Sequence, residues 1–139
     1  MAGLRAAFGL LLAGWLVLAG GLVVDARRGS PEATLRGYLA DLEARRTEVA
    51  LAALAPDAAA RWRDFVEFQQ FNGYRVVSIA VRSPSLLESL TQRRAWRATE
   101  VTLVADISEP SGVEWRGSTV VPVDLVDGRW MLLRPPFAT

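Results

Sequence analysis

The sequence predicts an α+β domain behind an apolar amino-terminal segment. Three observations carry this. Residues 6–24 hold no charge, the apolar residues repeat at helical spacing from residue 31 to about residue 70, and after Gly73 the period changes to two. A chain of 139 residues suits one domain and an appendage. The expected division is 1–29, an anchor and short tether, and 30–139, the folded part.

The segment Ala6 to Val24 is flanked by Arg5 on one side and by Asp25, Arg27 and Arg28 on the other. At about 1.5 Å per residue it would span roughly 28 Å as a helix, close to the hydrocarbon thickness of a bilayer. The expectation is therefore a transmembrane helix over 6–24. A cleaved signal peptide is the rival reading, but the run is long for its apolar region. Leu18-Ala19-Gly20 resembles the start of a lipid-attachment signal, and Gly21 stands where that signal needs cysteine. Arg5 and the free amino group place the amino terminus in the cytoplasm, against the pull of Arg27 and Arg28.

Ser30-Pro31-Glu32 reads as a helix start, with a capping hydroxyl, a proline suited to the first turn and an acid that complements the dipole. Leu35, Tyr38, Leu39 and Leu42 then lie on one face, to about Arg46. Thr47 is expected to cap a short second helix that Pro56 stops. Asp57 opens a third, with Ala58, Trp62, Phe65, Val66 and Gln69 on one stripe and Arg61, Asp64 and Glu67 largely off it. Asn72-Gly73 is expected to end it in left-handed geometry. Residues 74–82 alternate as a strand. Residues 83–92 read as a loop with a short helical turn. In the next strand Val101, Leu103, Ala105 and Ile107 face one way, and Glu100, Thr102, Val104 and Asp106 the other. Residues 109–112 form a turn.

Asp127-Gly128 marks a two-residue hairpin, because a type I′ turn needs positive φ at both centres. That turn pairs Val126 with Arg129, Leu125 with Trp130, Asp124 with Met131 and Val123 with Leu132. Extended further, it pairs Pro122 with Leu133 and Val121 with Arg134. Val121, Val123, Leu125, Trp130 and Leu132 then share the face expected under the helices. Met131 and Leu133 fall on the opposite face with Val104, making it too apolar to stand fully in water. A dimer partner or residues 83–94 are the expected covers.

Composition removes several function classes. There is no cysteine and no histidine, so disulfides, thiolate chemistry and the Ser-His-Asp arrangement are excluded. Before residue 30 the charged residues are Arg5, Asp25, Arg27 and Arg28; the remaining 13 arginines and 14 carboxylates nearly cancel. No basic face is implied, and nucleic acid is not an expected partner. The acids are scattered singly, so no metal site is expected. No cofactor signature is present either.

Three helices, then a four-stranded antiparallel meander closing on "VPVDLVDGRWMLL", with a third helix containing "ARWRDFVEF", resemble the NTF2-like (SnoaL-like, cystatin-like) superfamily over about residues 31–137. The resemblance implies a cone in which a curved sheet wraps around the helices. It also implies that dimers form through the sheet's outer face. Small bacterial members with one amino-terminal membrane helix are the most similar, among them extracytoplasmic domains of secretion and conjugation assemblies. The implied protein is a single-pass component of the bacterial cytoplasmic membrane. Its domain lies outside the cytoplasm and makes protein–protein contacts, through a homodimer or an envelope partner at Val104, Met131 and Leu133. The alternative is small-molecule binding in the cone, with Tyr38, Trp62, Trp130 and Arg134 near the pocket. An isomerase or dehydratase is the least favoured reading, because the core faces of the last two strands carry no acid and no catalytic residue is assigned.

Overall fold

The computed structural model describes residues 29–83 and 99–139. Three helices come first among them: α1, Pro31–Glu43; α2, Thr47–Ala52; and α3, Pro56–Gln69. Four strands follow: β1, Gly73–Arg82; β2, Thr99–Ser108; β3, Glu114–Val126; and β4, Arg129–Leu132. They form one antiparallel sheet in the order β1-β2-β3-β4.

The expected transmembrane helix is corrected. The longest described helix is α3, with 14 residues, about 21 Å at the α-helical rise. No helix among the described residues is long and apolar enough to cross a membrane. Residues 6–24, where that helix was expected, lie outside the described residues, as does most of the expected loop over 83–92.

The helical stripes are observed where the apolar period put them. Leu35, Tyr38, Leu39 and Leu42 are buried on α1. Ala58, Val66 and Gln69 are buried on α3, with Trp62 packed at the margin of the core. Pro56 opens α3 as well as following α2, since its fixed φ suits a first helical turn.

Two expected caps differ. Arg46, not Thr47, is the residue before α2, and no side chain caps that helix. The left-handed residue in this turn is Arg45, with φ 56°. The Thr47 hydroxyl is directed to Gln70 Oε1 at 2.7 Å, tying α2 to the end of α3. Asn72 and Gly73 take no positive φ. The chain passes from α3 directly into β1, so no left-handed reversal is needed there.

The hairpin register is observed over its four inner pairs, Val126↔Arg129 to Val123↔Leu132. Asp127 and Gly128 have φ 50° and 77°, as a type I′ turn requires. The strand pairing then ends earlier than expected. Leu133 N–H still donates to the Pro122 carbonyl at 2.8 Å. The next donor in that ladder would be residue 135, a proline without an N–H. The Arg134 guanidinium supplies the missing bond instead, donating through Nη2 to the Val120 carbonyl.

Both sides of the sheet's last strand are therefore hydrogen-bonded. On its free edge, Leu132 N–H donates to the Ala53 carbonyl at 2.9 Å, and Ala55 N–H donates to the Leu132 carbonyl at 2.8 Å. The link between α2 and α3 thus covers an edge that would otherwise invite another strand.

The carboxy-terminal tail turns back under the sheet. Phe137, at φ 63°, stacks on Tyr74 with ring centroids 6.0 Å apart and meets Trp115 edge-on at the same separation. These rings lie over Gly117. A Cβ there would sit 2.5 Å from Trp115 Cζ3 and 2.8 Å from Phe137 Cε1. Gly117→Ala is expected to destabilise the domain by about 1–3 kcal/mol through overpacking, measured by denaturant unfolding. Gln69→Leu is expected to cost about 2–4 kcal/mol, because it leaves two buried polar partners unpaired.

Candidate functional site

The four residues expected near a cone pocket, Tyr38, Trp62, Trp130 and Arg134, each make contacts within the domain. Tyr38 is fully buried, and its hydroxyl donates to Gln69 Oε1 at 2.6 Å. Burial, with Tyr74 nearby as a second cause, pushes this phenol well above the ordinary tyrosine range. Trp62 meets Phe65 edge-on at 5.7 Å and carries the Arg61 guanidinium over its ring at 5.5 Å. Trp130 packs against the core, and its carbonyl accepts from Thr34 Oγ1 at 3.3 Å. Arg134 satisfies the Val120 carbonyl, and its buried Nε has no partner among the described residues. It serves a strand end rather than a pocket mouth.

The inner face of the sheet is occupied by the protein itself. Val101, Leu103, Val121, Val123 and Leu132 are fully buried beneath the helices. Toward the other end of that face, the tail ring of Phe137 fills the space between Tyr74 and Trp115. The Gln69 amide anchors the tail there, donating to the Pro136 carbonyl at 2.7 Å.

The outer face is composed differently. Its middle carries the cross-strand pairs Ala80↔Thr102, Thr102↔Val120 and Val104↔Ser118. Val120 is 39% exposed. Pro122, Met131 and Leu133 continue it at the β4 side, each half-buried. The side chains here are small or apolar, and the helices pack on the opposite side.

Both ends of this face carry charge: Arg82 and Glu100 pair beside Pro122 and Asp124 opposes Met131 at one end, and a row of three charges lies at the other. Arg75, Asp106 and Arg116 form a single row across β1, β2 and β3. Arg75 Nη2 donates to Asp106 Oδ2 at 2.6 Å, and Arg116 Nε donates to Oδ1 at 2.7 Å. The hydrogen bonds from Arg116 and Arg75 hold the Asp106 carboxyl well below the usual carboxylate range. With Ser108, Glu114 and Trp115 these residues line an open cleft of about 500 Å³. None of the four residues expected from the sequence lies in it.

This row was only partly visible in the sequence. Alternation put Asp106 outward, and the turn at 109–112 sets Asp106 opposite Arg116. The contribution of Arg75 depends on the β1–β2 register, which a bulge between Val76 and Ser78 shifts. Among the described residues, no group of histidine, cysteine or carboxylate side chains is arranged to hold a metal.

No protein-family model, curated protein or solved structure matches this chain.

The chain has only two tyrosines, Tyr38 and Tyr74. Burial raises Tyr74 as well, partly opposed by hydrogen bonds with Asn72 and Gln69. A phenol with a raised folded pKa holds its proton longer in the native state. The unfolded chain then releases protons first, and stability falls as pH rises above about 10. Tyrosinate absorbance is expected to appear only together with unfolding in an alkaline titration followed by circular dichroism. Tyrosinate forming in a fully folded chain near pH 10 would contradict this.

Proposed function

We propose that the domain is a non-enzymatic interaction module of NTF2-like type that associates with a second copy of itself through the outer face of its sheet. The observation that carries this reading is the asymmetry of the sheet. One face is covered by helices and by the chain's own tail. The other presents Val104, Val120, Met131 and Leu133 as an apolar middle between charged rows, a patch that full solvation does not favour. A stable interface needs about 800 Å² from each partner, and a four-stranded sheet face is of suitable size. Face-to-face packing of two sheets about a two-fold axis is isologous, so the same patch serves both copies. An assembly role of this kind agrees with what the family resemblance implies.

Ligand binding under the sheet has weaker support. The Tyr38 hydroxyl is already paired in the core, and Arg134 is spent on a backbone carbonyl. An isomerase or dehydratase would need an inward carboxylate as general base, and among the described residues the buried core includes no carboxylate.

Sedimentation velocity tests the association. The chain is expected to dimerise as its concentration rises, and Val120→Arg or Val104→Arg to shift it to monomer with the fold retained by circular dichroism. A chain that stays monomeric at about 1 mM, a concentration at which a contact worth roughly 4 kcal/mol would be half-formed, contradicts the proposal. So does a dimer indifferent to both substitutions.

A further inference from the structure

The Arg75–Asp106–Arg116 end of the outer face carries a second, independent reading. Two guanidinium groups lie in one cross-strand row, where their like charges would ordinarily keep them apart. Asp106 on the strand between them allows both to stay. Its carboxylate accepts one hydrogen bond from Arg75 and two from Arg116. Each guanidinium carries five N–H donors in a planar fork. Among the described residues most of those donors therefore have no partner, and both side chains remain largely exposed, at 81% and 62%. The clamp fixes the two forks beside a cleft of about 500 Å³, within the range of small-molecule sites.

The neighbouring row of the cleft has the other sign. Glu114 lies two residues from Arg116 on β3, hence on the same face and about 7 Å along the strand. Ser108 stands across from it and donates to Glu114 Oε1 only weakly, at 3.5 Å. The lining thus holds two cations and two anions, and they are not evenly mixed. Asp106 already accepts three hydrogen bonds from its clamp, so most of the remaining capacity is guanidinium N–H on one row and the Glu114 carboxylate on the next. A simple anion would meet Glu114 unfavourably, and a simple cation would meet the two arginines. A compact zwitterion satisfies both rows, with one hydrogen-bond length at each end.

We propose that this cleft binds an amino-acid-type zwitterion, with its carboxylate on Arg75 and Arg116 and its ammonium on Glu114. Planar guanidinium–carboxylate pairing supplies direction at one end and a charge-assisted N–H···O bond supplies it at the other. The remaining volume accommodates a side chain.

The test titrates the full chain, labelled with nitrogen-15, with L-leucine. N-acetyl-L-leucine and L-leucine methyl ester serve as probes lacking one charge. Saturable shifts of the Arg75 and Arg116 side-chain Nε–H signals are expected with L-leucine. Affinity is expected to fall at least tenfold, about 1.4 kcal/mol, when either charge of the probe is removed. Glu114→Gln should weaken L-leucine by a similar factor and leave N-acetyl-L-leucine unharmed. Arg75→Gln should weaken both carboxylate probes while thermal unfolding stays close to that of the parent. Absence of saturable shifts at concentrations on the order of 10 mM overturns the proposal. N-acetyl-L-leucine binding as well as L-leucine also overturns it, by showing an anion site. Dimer formation is measured separately, so failure here leaves the self-association reading standing.

Discussion

One buried amide holds the parts of this domain to one another. Gln69 sits at the last turn of α3 and is 1% exposed. Its carbonyl oxygen accepts from the Tyr38 hydroxyl on α1, and its nitrogen donates to the backbone of Pro136 in the tail. A buried amide must satisfy both ends or cost the domain stability. Here each end is satisfied by a different segment, so the bond pair fixes the α1–α3 approach and the tail position together. The tail in turn places Phe137 between Tyr74 and Trp115, and that placement is tolerable only because residue 117 has no side chain.

The same economy appears at the end of the sheet. A proline at position 135 ends the β4 ladder and leaves the Val120 carbonyl without its expected donor. Arg134, one residue earlier, supplies a side-chain N–H in its place. An arginine that looks functional in isolation is thereby explained by the backbone. The α2–α3 link does equivalent work on the other side of β4, where its backbone pairs with Leu132. These arrangements leave the inner face closed. They shift the search for function to the outer face, where a small-residue apolar middle lies between charged ends.

That division has a physical consequence for what the outer face can do. Apolar surface favours a partner by area and is indifferent to its identity. The Arg75–Asp106–Arg116 row is directional, because one carboxylate orients both forks. The two border one another, since Val104 and Ser118 are the next same-face pair to Asp106 and Arg116, about 7 Å along the strands.

Local pattern determined much of this protein. The helical stripes, the outward and inward alternation of β2, and the four inner pairs of the hairpin all follow from residue spacing and one Asp-Gly turn. Each is a short-range property, in which neighbours in sequence share a face. The sequence also shows an uncharged run at 6–24, while no described helix can span a membrane. Tertiary structure alone decided the rest. Whether Gln69 meets Tyr38 and Pro136, whether Arg134 reaches a pocket or a carbonyl, and whether Arg75 joins Asp106 depend on contacts between residues 14 to 67 positions apart. Such pairings are set by how whole elements pack and by a bulge in β1, and no periodicity along the chain encodes them.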